Sequence, residues 1–219
     1  MTIDLHLTDA STEAPVRFAA TRLVIAGFTG RDAAAVAAHI EELRQIGVPV
    51  PEVTPAFYEL PADLLTTEDS VEVSGTFTSG EVEPAVLIDE EQRWLTVGSD
   101  HTDRELEASS IVQSKRVCPK PIASRLVPFP DADVWDDISL ASTADGQPYQ
   151  SGSLAQLLPF DAVSSAARDA GLVLGPGDVI FLGTVPTLGE LRAAARFHAS
   201  MRTEHHQLEL AYDITCPTS

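Results

Sequence analysis

Basic residues are scarce in this sequence, and their scarcity limits the possible partners. The 219 residues include 14 Lys and Arg against 33 Asp and Glu, a formal net charge of −19 at pH 7. A field of this sign repels nucleic acid phosphates and anionic lipid surfaces, so we expect neither nucleic acid nor a membrane as a partner. A small anionic substrate would be repelled too unless a metal ion or buried basic groups reverse the charge locally. Basic side chains close to clustered carboxylates therefore matter for function.

Cysteines and long apolar runs are also few. Cys118 and Cys216 could form one disulfide at most, and a chain of this length does not need one, so we expect free thiols in a reducing cytosol. A signal peptide begins with basic residues followed by an apolar run, and the N-terminal residues do not show this pattern. No apolar run approaches the roughly 20 residues that a membrane-spanning helix needs. We therefore expect a cytoplasmic protein, and 44% hydrophobic residues suffice for one domain spanning residues 1–219.

Short strand-like segments dominate the chain. They lie at 3–7, 22–27, 71–73, 85–88, 138–142, 179–182, 197–201 and 208–214. Asp145-Gly146 predicts a hairpin turn. Helical patterns lie at 32–45, at 159–170 and, less regularly, at 106–114; the first has Asp32 as its N-cap and Val36, Ile40, Leu43 and Ile46 near one face. The sequence therefore predicts a β-rich protein with a few short helices.

Two glutamates are spaced so that their side chains converge. Glu81-Val82-Glu83 precedes the strand-like segment 85–88, and residues i and i+2 of a strand point to the same side. Carboxylates that close repel each other unless a cation lies between them, and hard cations such as Mg²⁺ bind oxygen ligands. Acidic pairs at this spacing also occur by chance at solvated strand edges. The pair alone therefore does not establish a metal site, which needs a third carboxylate nearby.

A second polar segment, residues 98–105, follows the apolar stretch 94–97. The end of a strand is a usual place for ligands, and Asp100 could coordinate a metal ion. Asp103, Arg104 and Glu105 could equally pair with one another as part of the scaffold. The residues of this segment leave both interpretations open.

Together these segments resemble the fumarylacetoacetate hydrolase family. Its members show Gly-Glu-x-Glu before an apolar strand and then an Asn-Asp-x-Ser-x-Arg-Asp loop, and Gly80-Glu81-Val82-Glu83 and Ser99-Asp100-His101-Thr102-Asp103-Arg104-Glu105 take these places in the same order. Residues 174–184 are similar to the family's Pro-Gly-Asp-Val-Ile-x-x-Gly-Thr-Pro signature. The likeness covers roughly residues 24 to 213. The chain resembles an uncharacterised branch of the family. It implies that Glu81, Glu83 and Asp100 bind Mg²⁺ or Mn²⁺.

The resemblance also implies a substrate-binding set. The family's Gly-Thr turn lines the active site, which assigns substrate contacts to Gly183 and Thr184. Lys115 resembles the lysine that precedes the family's Cys-Pro step and faces the metal, although it lies closer to Cys118-Pro119 here. A lysine in that place would help to neutralise a bound carboxylate or enolate. A lone lysine is otherwise usually a solvated surface group.

The lid of the site follows the family less closely. Gly27-Phe28-Thr29 replaces the family's glycine-Asn-Tyr motif, and His39 and Glu42 have the spacing of its His-x-x-Glu pair but come later in the chain. The two side chains adjoin on one side of a helix, where the imidazole could act as general base on water and the carboxylate could orient it. His39 also lies near the apolar side of the predicted helix, so a hydrogen-bonded core histidine is an alternative.

Other histidines are weaker candidates for the base. His101 competes because it adjoins Asp100, but neighbouring residues of an extended loop point apart, so we rank it second. His205 and His206 lie in a polar segment between late strands and are expected on the surface.

As a whole, the resemblance implies an α+β, mainly β fold, a mixed β-roll or sandwich with a few short helices, in a homodimer. Residues 1–60 would partly form lid and flanking elements and residues 61–219 the catalytic core. The implied activity is a catabolic, divalent-metal-dependent hydrolase that cleaves a carbon–carbon bond of a small oxo acid or dicarbonyl carboxylate through a metal-bound enolate. The alternatives are decarboxylation, isomerisation or hydration through the same enolate, a non-catalytic metal- or ligand-binding relative, and a β-rich interaction domain whose acidic loops are only solvated.

Overall fold

The architecture is that of a computed structural model, which describes residues 1–45 and 47–217. Ile46, part of the predicted helix face, lies outside the described residues. The helices are α1 (Ala33–Gln45), α2 (Arg104–Glu107), α3 (Ile111–Arg116) and α4 (Phe160–Asp169). The strands are β1 (Ile3–Asp9), β2 (Pro15–Ala20), β3 (Arg22–Gly27), β4 (Ala56–Leu60), β5 (Leu65–Thr66), β6 (Ser70–Glu72), β7 (Thr78–Ser79), β8 (Val82–Ile88), β9 (Arg93–Ser99), β10 (Thr102–Asp103), β11 (Lys120–Pro121), β12 (Arg125–Pro128), β13 (Ser139–Ala144), β14 (Gln147–Ser153), β15 (Asp178–Phe181), β16 (Arg196–Arg202) and β17 (Gln207–Thr215).

Two sheets contain most of these strands. The larger has eight strands in the order β2-β1-β12-β9-β8-β15-β3-β4, and the smaller has five in the order β14-β13-β16-β17-β6. Strands β1 to β4, from the first 60 residues, all belong to the larger sheet. None of the helices in the described residues has the length and apolar character needed to span a bilayer. The predicted α+β, mainly β fold is confirmed.

Strand β8 is covered on both of its faces. Val86 packs in the core cluster that also contains Phe197 of the smaller sheet, whereas Ala85 and Leu87 belong to a second cluster on the opposite face. Strands buried on both faces have continuous apolar sequences, as β8 has after its first residues. Alternate residues of a strand point to opposite faces, so Glu83 projects to the same side as Ala85.

Local sequence signals determine several element ends. The Asp32 carboxylate accepts hydrogen bonds from the backbone N–H groups of Ala34 and Ala35, which confirms the predicted N-cap of α1. Asp145 and Gly146 have φ values of 50° and 74°, as a tight hairpin turn requires, and join β13 to β14. The predicted turn is therefore confirmed.

The helical pattern at 106–114 forms two short helices instead of one. Ser110 has extended backbone geometry, and its side chain accepts a hydrogen bond from the Gln113 N–H, which starts α3. Serine side chains that bond to the backbone in this way favour helix starts over helix interiors. The single helix predicted there was wrong for this reason.

Candidate metal centre

Three carboxylates meet at one edge of β8 and β9. Glu83 pairs with Gly98 across these strands, which puts Asp100, two residues further, on the same face. The Asp100 N–H donates to the carbonyl oxygen of Glu81 at 3.0 Å, which joins the two loops directly. One carboxylate oxygen each from Glu81, Glu83 and Asp100 lies within 4.8 Å of the others. The three oxygens therefore converge on one small volume, as a shared cation would require.

The electrostatics of this cluster fit a hard divalent cation. Glu83 and Asp100 are buried, and Asp100 Oδ1 lies 3.3 Å from the Lys120 ammonium nitrogen but makes no well-aligned hydrogen bond among the described residues. Burial, followed by repulsion from Asp100, raises the pKa of Glu83 well above its ordinary value. Burial opposes ionisation of Asp100 as well, but the ammonium groups of Lys115 and Lys120 outweigh it and hold the pKa below the ordinary value. Three oxygen donors with one buried oxygen lacking a well-aligned hydrogen bond are a donor set suited to Mg²⁺ or Mn²⁺.

Buried basic groups surround the cluster. Lys115 is buried and donates to Asp100 Oδ2, so it is not a solvated surface lysine. Lys120 is fully buried and donates to the carbonyl oxygens of His101 at 2.5 Å, Lys115 at 2.5 Å and Cys118 at 3.1 Å. The cluster thus has the local positive charge that the acidic sequence requires for an anionic ligand.

The loop after Asp100 is part of the scaffold on one side and part of the site on the other. Asp103 caps α2, since its carboxylate accepts from the N–H groups of Glu105 and Leu106 at 3.0 Å. Arg104 is buried and lies 3.1 Å from Glu81 Oε1. Asp103 is thus part of the scaffold, whereas Arg104 pairs with Glu81 and Glu107 instead of with its neighbours Asp103 and Glu105.

Gly183 adjoins the carboxylate cluster through its backbone. Its N–H donates to Glu83 Oε2 at 2.9 Å. The residue has φ +94°, and a Cβ there would lie 1.9 Å from the Thr29 hydroxyl oxygen. Only glycine fits this turn without displacing the neighbouring segment.

Gln150 holds the turn and β8 together from the smaller sheet. Its Oε1 accepts from the Val82 N–H and the Ser142 hydroxyl, both at 2.9 Å. Its Nε2 donates to Thr184 Oγ1 at 2.7 Å and to the Val185 carbonyl at 2.8 Å. Thr184 in turn donates to the Val82 carbonyl at 2.8 Å. The two predicted substrate contacts, at residues 183 and 184, thus lie against the strand that carries Glu83.

A family comparison identifies the chain's relatives. The family described as Protein of unknown function (DUF2848) matches residues 26–212. The chain belongs to this family. No curated protein sequence matches the DUF2848 chain significantly.

Solved structures show which fold the DUF2848 chain has. It is similar to a protein of Oleispira antarctica, provisionally described as a fumarylacetoacetate isomerase/hydrolase, with 22% identity, a TM-score of 0.70 and coverage of 95% of this chain and 99% of that chain. A fumarylpyruvate hydrolase from Pseudomonas aeruginosa, in complex with Mn²⁺ and pyruvate, has 19% identity, TM-score 0.68 and coverage of 98% and 97%. A 5-carboxymethyl-2-hydroxymuconate delta-isomerase from Mycobacterium smegmatis has 19% identity, TM-score 0.67 and coverage of 91% and 80%. The predicted fumarylacetoacetate hydrolase fold is thereby confirmed.

The predicted lid pair of the DUF2848 chain lies on the surface. His39 and Glu42 have side chains 61% and 77% exposed, with 3.7 Å between His39 Nδ1 and Glu42 Oε2. The His39 ring is 6.3 Å from the ring of Phe28, and neither side chain of the pair forms an ion pair or hydrogen bond with the carboxylate cluster in residues 1–45 and 47–217. Helix α1 has no buried residue. His39 is therefore not the core histidine that its sequence position also allowed.

His101 is engaged on both ring nitrogens. Nδ1 lies 2.9 Å from the Tyr212 hydroxyl, and Nε2 lies 2.9 Å from the Thr78 hydroxyl. Burial, with the positive charges of Lys120 and Arg104, lowers the pKa of His101 to about 3. The neutral ring joins the Asp100 loop to β17 of the smaller sheet.

Sequence reasoning missed three polar residues of this centre. Lys120 bonds beside Asp100, Arg104 pairs with Glu81, and Gln150 fixes the turn at residue 183. The only signal for Lys120 is its place between two prolines in an otherwise apolar stretch, which favours burial. His205 and His206 were predicted on the surface; the His205 side chain is 74% exposed, whereas His206 is half-buried, with its Nε2 3.2 Å from the Ser11 hydroxyl.

Proposed function

We propose that the chain is a divalent-metal-dependent hydrolase that cleaves a carbon–carbon bond of a small oxo acid or dicarbonyl carboxylate. The observation that carries this proposal is the convergence of Glu81, Glu83 and Asp100, of which Glu83 and Asp100 are buried and Glu81 is half-buried, on one point of the sheet edge. Lys115 contacts the same carboxylate. The Mn²⁺ and pyruvate bound by the Pseudomonas aeruginosa enzyme, which shares the fold, support a metal ion and an oxo acid here.

Glu81, Glu83 and Asp100 would hold the metal, Mg²⁺ or Mn²⁺. The ion would supply Lewis-acid stabilisation of the negative charge that develops on the oxo acid when the bond to carbon breaks. Lys115 would bind the substrate carboxylate beside Asp100. The N–H of Gly183 holds Glu83 in place, and Thr184 lines the same turn.

The charges at the centre favour an anion once the metal is bound. Within the described residues, the three cluster carboxylates (Glu81, Glu83 and Asp100) lie against the cations Lys115, Lys120 and Arg104, and Arg104 also pairs with a fourth carboxylate, that of Glu107, at 2.8 Å. One negative formal charge is left over among these groups, so a divalent ion would still leave the centre positive although the whole chain carries −19. An acidic protein can thus bind an acidic substrate.

We assign the water-activating base to His39, with Glu42 as its orienting carboxylate. Both are exposed on α1, so α1 must close over the cluster for this base to act. His39→Ala should then lower turnover about 10²–10⁴-fold while Mn²⁺ binding stays unchanged. Undiminished turnover in His39→Ala would remove His39 from the mechanism.

The exposure of His39 also favours a second candidate activity. Decarboxylation, which releases CO₂ and leaves an enolate to be protonated, isomerisation and hydration share the same enolate chemistry, and the first two need no activated water. The delta-isomerase from Mycobacterium smegmatis has this fold. Turnover that survives in His39→Ala and releases no hydrolysis product would favour this alternative.

We further propose a cytoplasmic homodimer. Leu106, Val112 and Val117, in α2 and α3 and at the end of α3, expose 37%, 37% and 40% of their surfaces, and both cysteines are free. Exposed apolar groups of this kind often lie in interfaces. Sedimentation analysis of wild type and Val112→Glu should show a dimer that the charge weakens.

Metal titration tests the proposal most directly. We expect saturable Mg²⁺ and Mn²⁺ binding by calorimetry, lost in Glu81→Ala/Glu83→Ala, and metal-dependent turnover of an acylpyruvate or of oxaloacetate. The Asp89→Ala/Glu91→Ala variant is the control, because these residues lie in the β8–β9 turn outside the cluster. Binding that survives the first variant, or is absent from wild type, would contradict the proposal.

A further inference from the structure

Tyr58 lies on the same face of the larger sheet as the carboxylate cluster. It pairs with Ile25 of β3, and Ile25 pairs with Phe181 of β15. Phe181 pairs with Ala85 of β8, two residues from Glu83. Directly paired residues of neighbouring strands project to one side, and so do residues i and i+2. Tyr58 and Glu83 therefore face the same space.

The Tyr58 ring extends from β4 over β3 because Gly27 has no side chain. A Cβ at Gly27 would lie 3.1 Å from Tyr58 Cε2 and 3.9 Å from its hydroxyl oxygen. The hydroxyl thus lies over β3, which is two strands from β8. At about 4.8 Å between strands, it is roughly 10 Å from the backbone of β8. The hydroxyl and Glu83 are thus separated along the sheet by about two strand spacings, a span comparable to the length of a small dicarboxylic acid.

The Tyr58 hydroxyl is available to a ligand. Its ring is half-buried, and the hydroxyl makes no hydrogen bond within residues 1–45 and 47–217. Burial raises the pKa of Tyr58, and the charge of Lys115 opposes this more strongly than Glu107 or Asp100 adds to it. The phenol is therefore protonated, a hydrogen-bond donor, and within the field of a cation that favours an anionic acceptor.

We propose that Tyr58 is a specificity-determining residue, whose hydroxyl donates a hydrogen bond to the distal carboxylate of a dicarboxylic 2-oxo acid. The proposal rests on the proposed function, because the other end of the acid would be held at Glu81, Glu83, Asp100 and Lys115. Gly27 supports this position of the Tyr58 ring, because a residue without a side chain leaves the space that the ring occupies.

Calorimetry with a matched pair of ligands tests this assignment. The Mn²⁺-loaded protein is titrated with 2-oxoglutarate, which ends in a carboxylate, and with 2-oxovalerate, which ends in a methyl group. Tyr58→Phe keeps the ring and removes only the hydroxyl. We expect the variant to bind 2-oxoglutarate about tenfold more weakly, the effect of one hydrogen bond to a charged group, and to bind 2-oxovalerate as wild type does.

The outcomes separate this proposal from the proposed function. Wild type that binds neither acid would overturn the proposed function, and this proposal with it. Wild type could bind both acids with equal affinity, or Tyr58→Phe could lose equal affinity for both. Either result would leave the proposed function standing and overturn the role of Tyr58. Unchanged 2-oxoglutarate binding in the variant would do the same.

Gly27→Ala offers a second, independent variant. The added methyl group would lie 3.1 Å from Tyr58 Cε2, so the ring must move away by a few tenths of an ångström. We expect the same selective loss of 2-oxoglutarate affinity, and no further loss in Gly27→Ala/Tyr58→Phe, because both changes remove one contact. Fully additive losses would overturn the assignment.

Discussion

Lys120 places its ammonium nitrogen 3.3 Å from Asp100 Oδ1, and neither side chain has exposed surface. The same nitrogen donates to the carbonyl oxygens of His101, Lys115 and Cys118. The buried Lys120 ammonium therefore holds both the proposed metal ligand Asp100 and the main chain of Lys115.

Lys120→Met should destabilise the fold strongly. The substitution leaves Asp100 with one fewer cation and three carbonyl oxygens without their donor, and breaking a buried charged pair costs about 3–5 kcal/mol. Urea unfolding of the metal-free protein measures the loss. Arg196→Met, which removes an ion pair with Asp213 whose side chains are more than half exposed, should cost less than about 1 kcal/mol. Equal losses in the two variants would contradict the role of Lys120.

The stability of the metal-free protein should depend on pH through Glu83, whose pKa is raised from 4.5, first by burial and then by Asp100. A carboxyl with a higher pKa in the folded state contributes fully to stability below its unfolded pKa, and the contribution is lost as pH rises toward the folded pKa. We expect Glu83→Gln to gain stability relative to wild type as pH rises above 4.5. Thermal unfolding of both proteins across pH 4.5 to 8 measures this, and a constant difference would refute it.

Gly183→Ala should be far more damaging than Gly146→Ala. Both glycines have positive φ, +94° and +74°, which costs an alanine about 1–2 kcal/mol. A Cβ at Gly146 meets nothing within 4 Å, whereas one at Gly183 would overlap the Thr29 hydroxyl. We expect a loss of at least about 3 kcal/mol for Gly183→Ala by denaturant unfolding. Partial recovery in Gly183→Ala/Thr29→Ala would identify the overlap as the cause.

Tyr212→Phe should lower the melting temperature, whereas Tyr149→Phe should not. The Tyr212 hydroxyl lies 2.8 Å from Ser99 Oγ and 2.9 Å from His101 Nδ1, so its removal leaves buried partners unpaired at about 1–3 kcal/mol. The Tyr149 hydroxyl is buried and has no hydrogen-bond partner in the described chain, so its removal is neutral or stabilising. Similar shifts in the two variants would argue against the Tyr212 network.

Local patterns in the sequence predicted a large part of the fold and the proposed metal ligands. Glu81 and Glu83 share a face because of the two-residue period of a strand, and the hairpin at Asp145 follows from its turn residues. Helix α4 forms at Phe160–Asp169, within the predicted 159–170. These features depend on neighbours a few residues away.

The remaining features depend on contacts between distant segments. Arg104 reaches Glu81 across 23 positions of sequence, and Lys120 of β11 contacts Asp100 and the His101 carbonyl, 20 and 19 positions earlier. The apolar spacing in the sequence correctly predicted helix α1. Such spacing does not show whether another element packs against the apolar face, and Val36 on that face is only half-buried. The exposed position of His39 follows from that missing cover.

The four hydrogen bonds of Gln150 have a mechanical consequence. Its amide uses both lone pairs and both protons, on Val82, Ser142, Thr184 and Val185, so it can neither flip nor slide without breaking bonds. These bonds therefore connect the two sheets at the turn of Gly183 and Thr184, which is the proposed substrate-binding turn. A shear of one sheet against the other by one ångström would reach that turn directly, whereas α1, outside both sheets, can move without disturbing it.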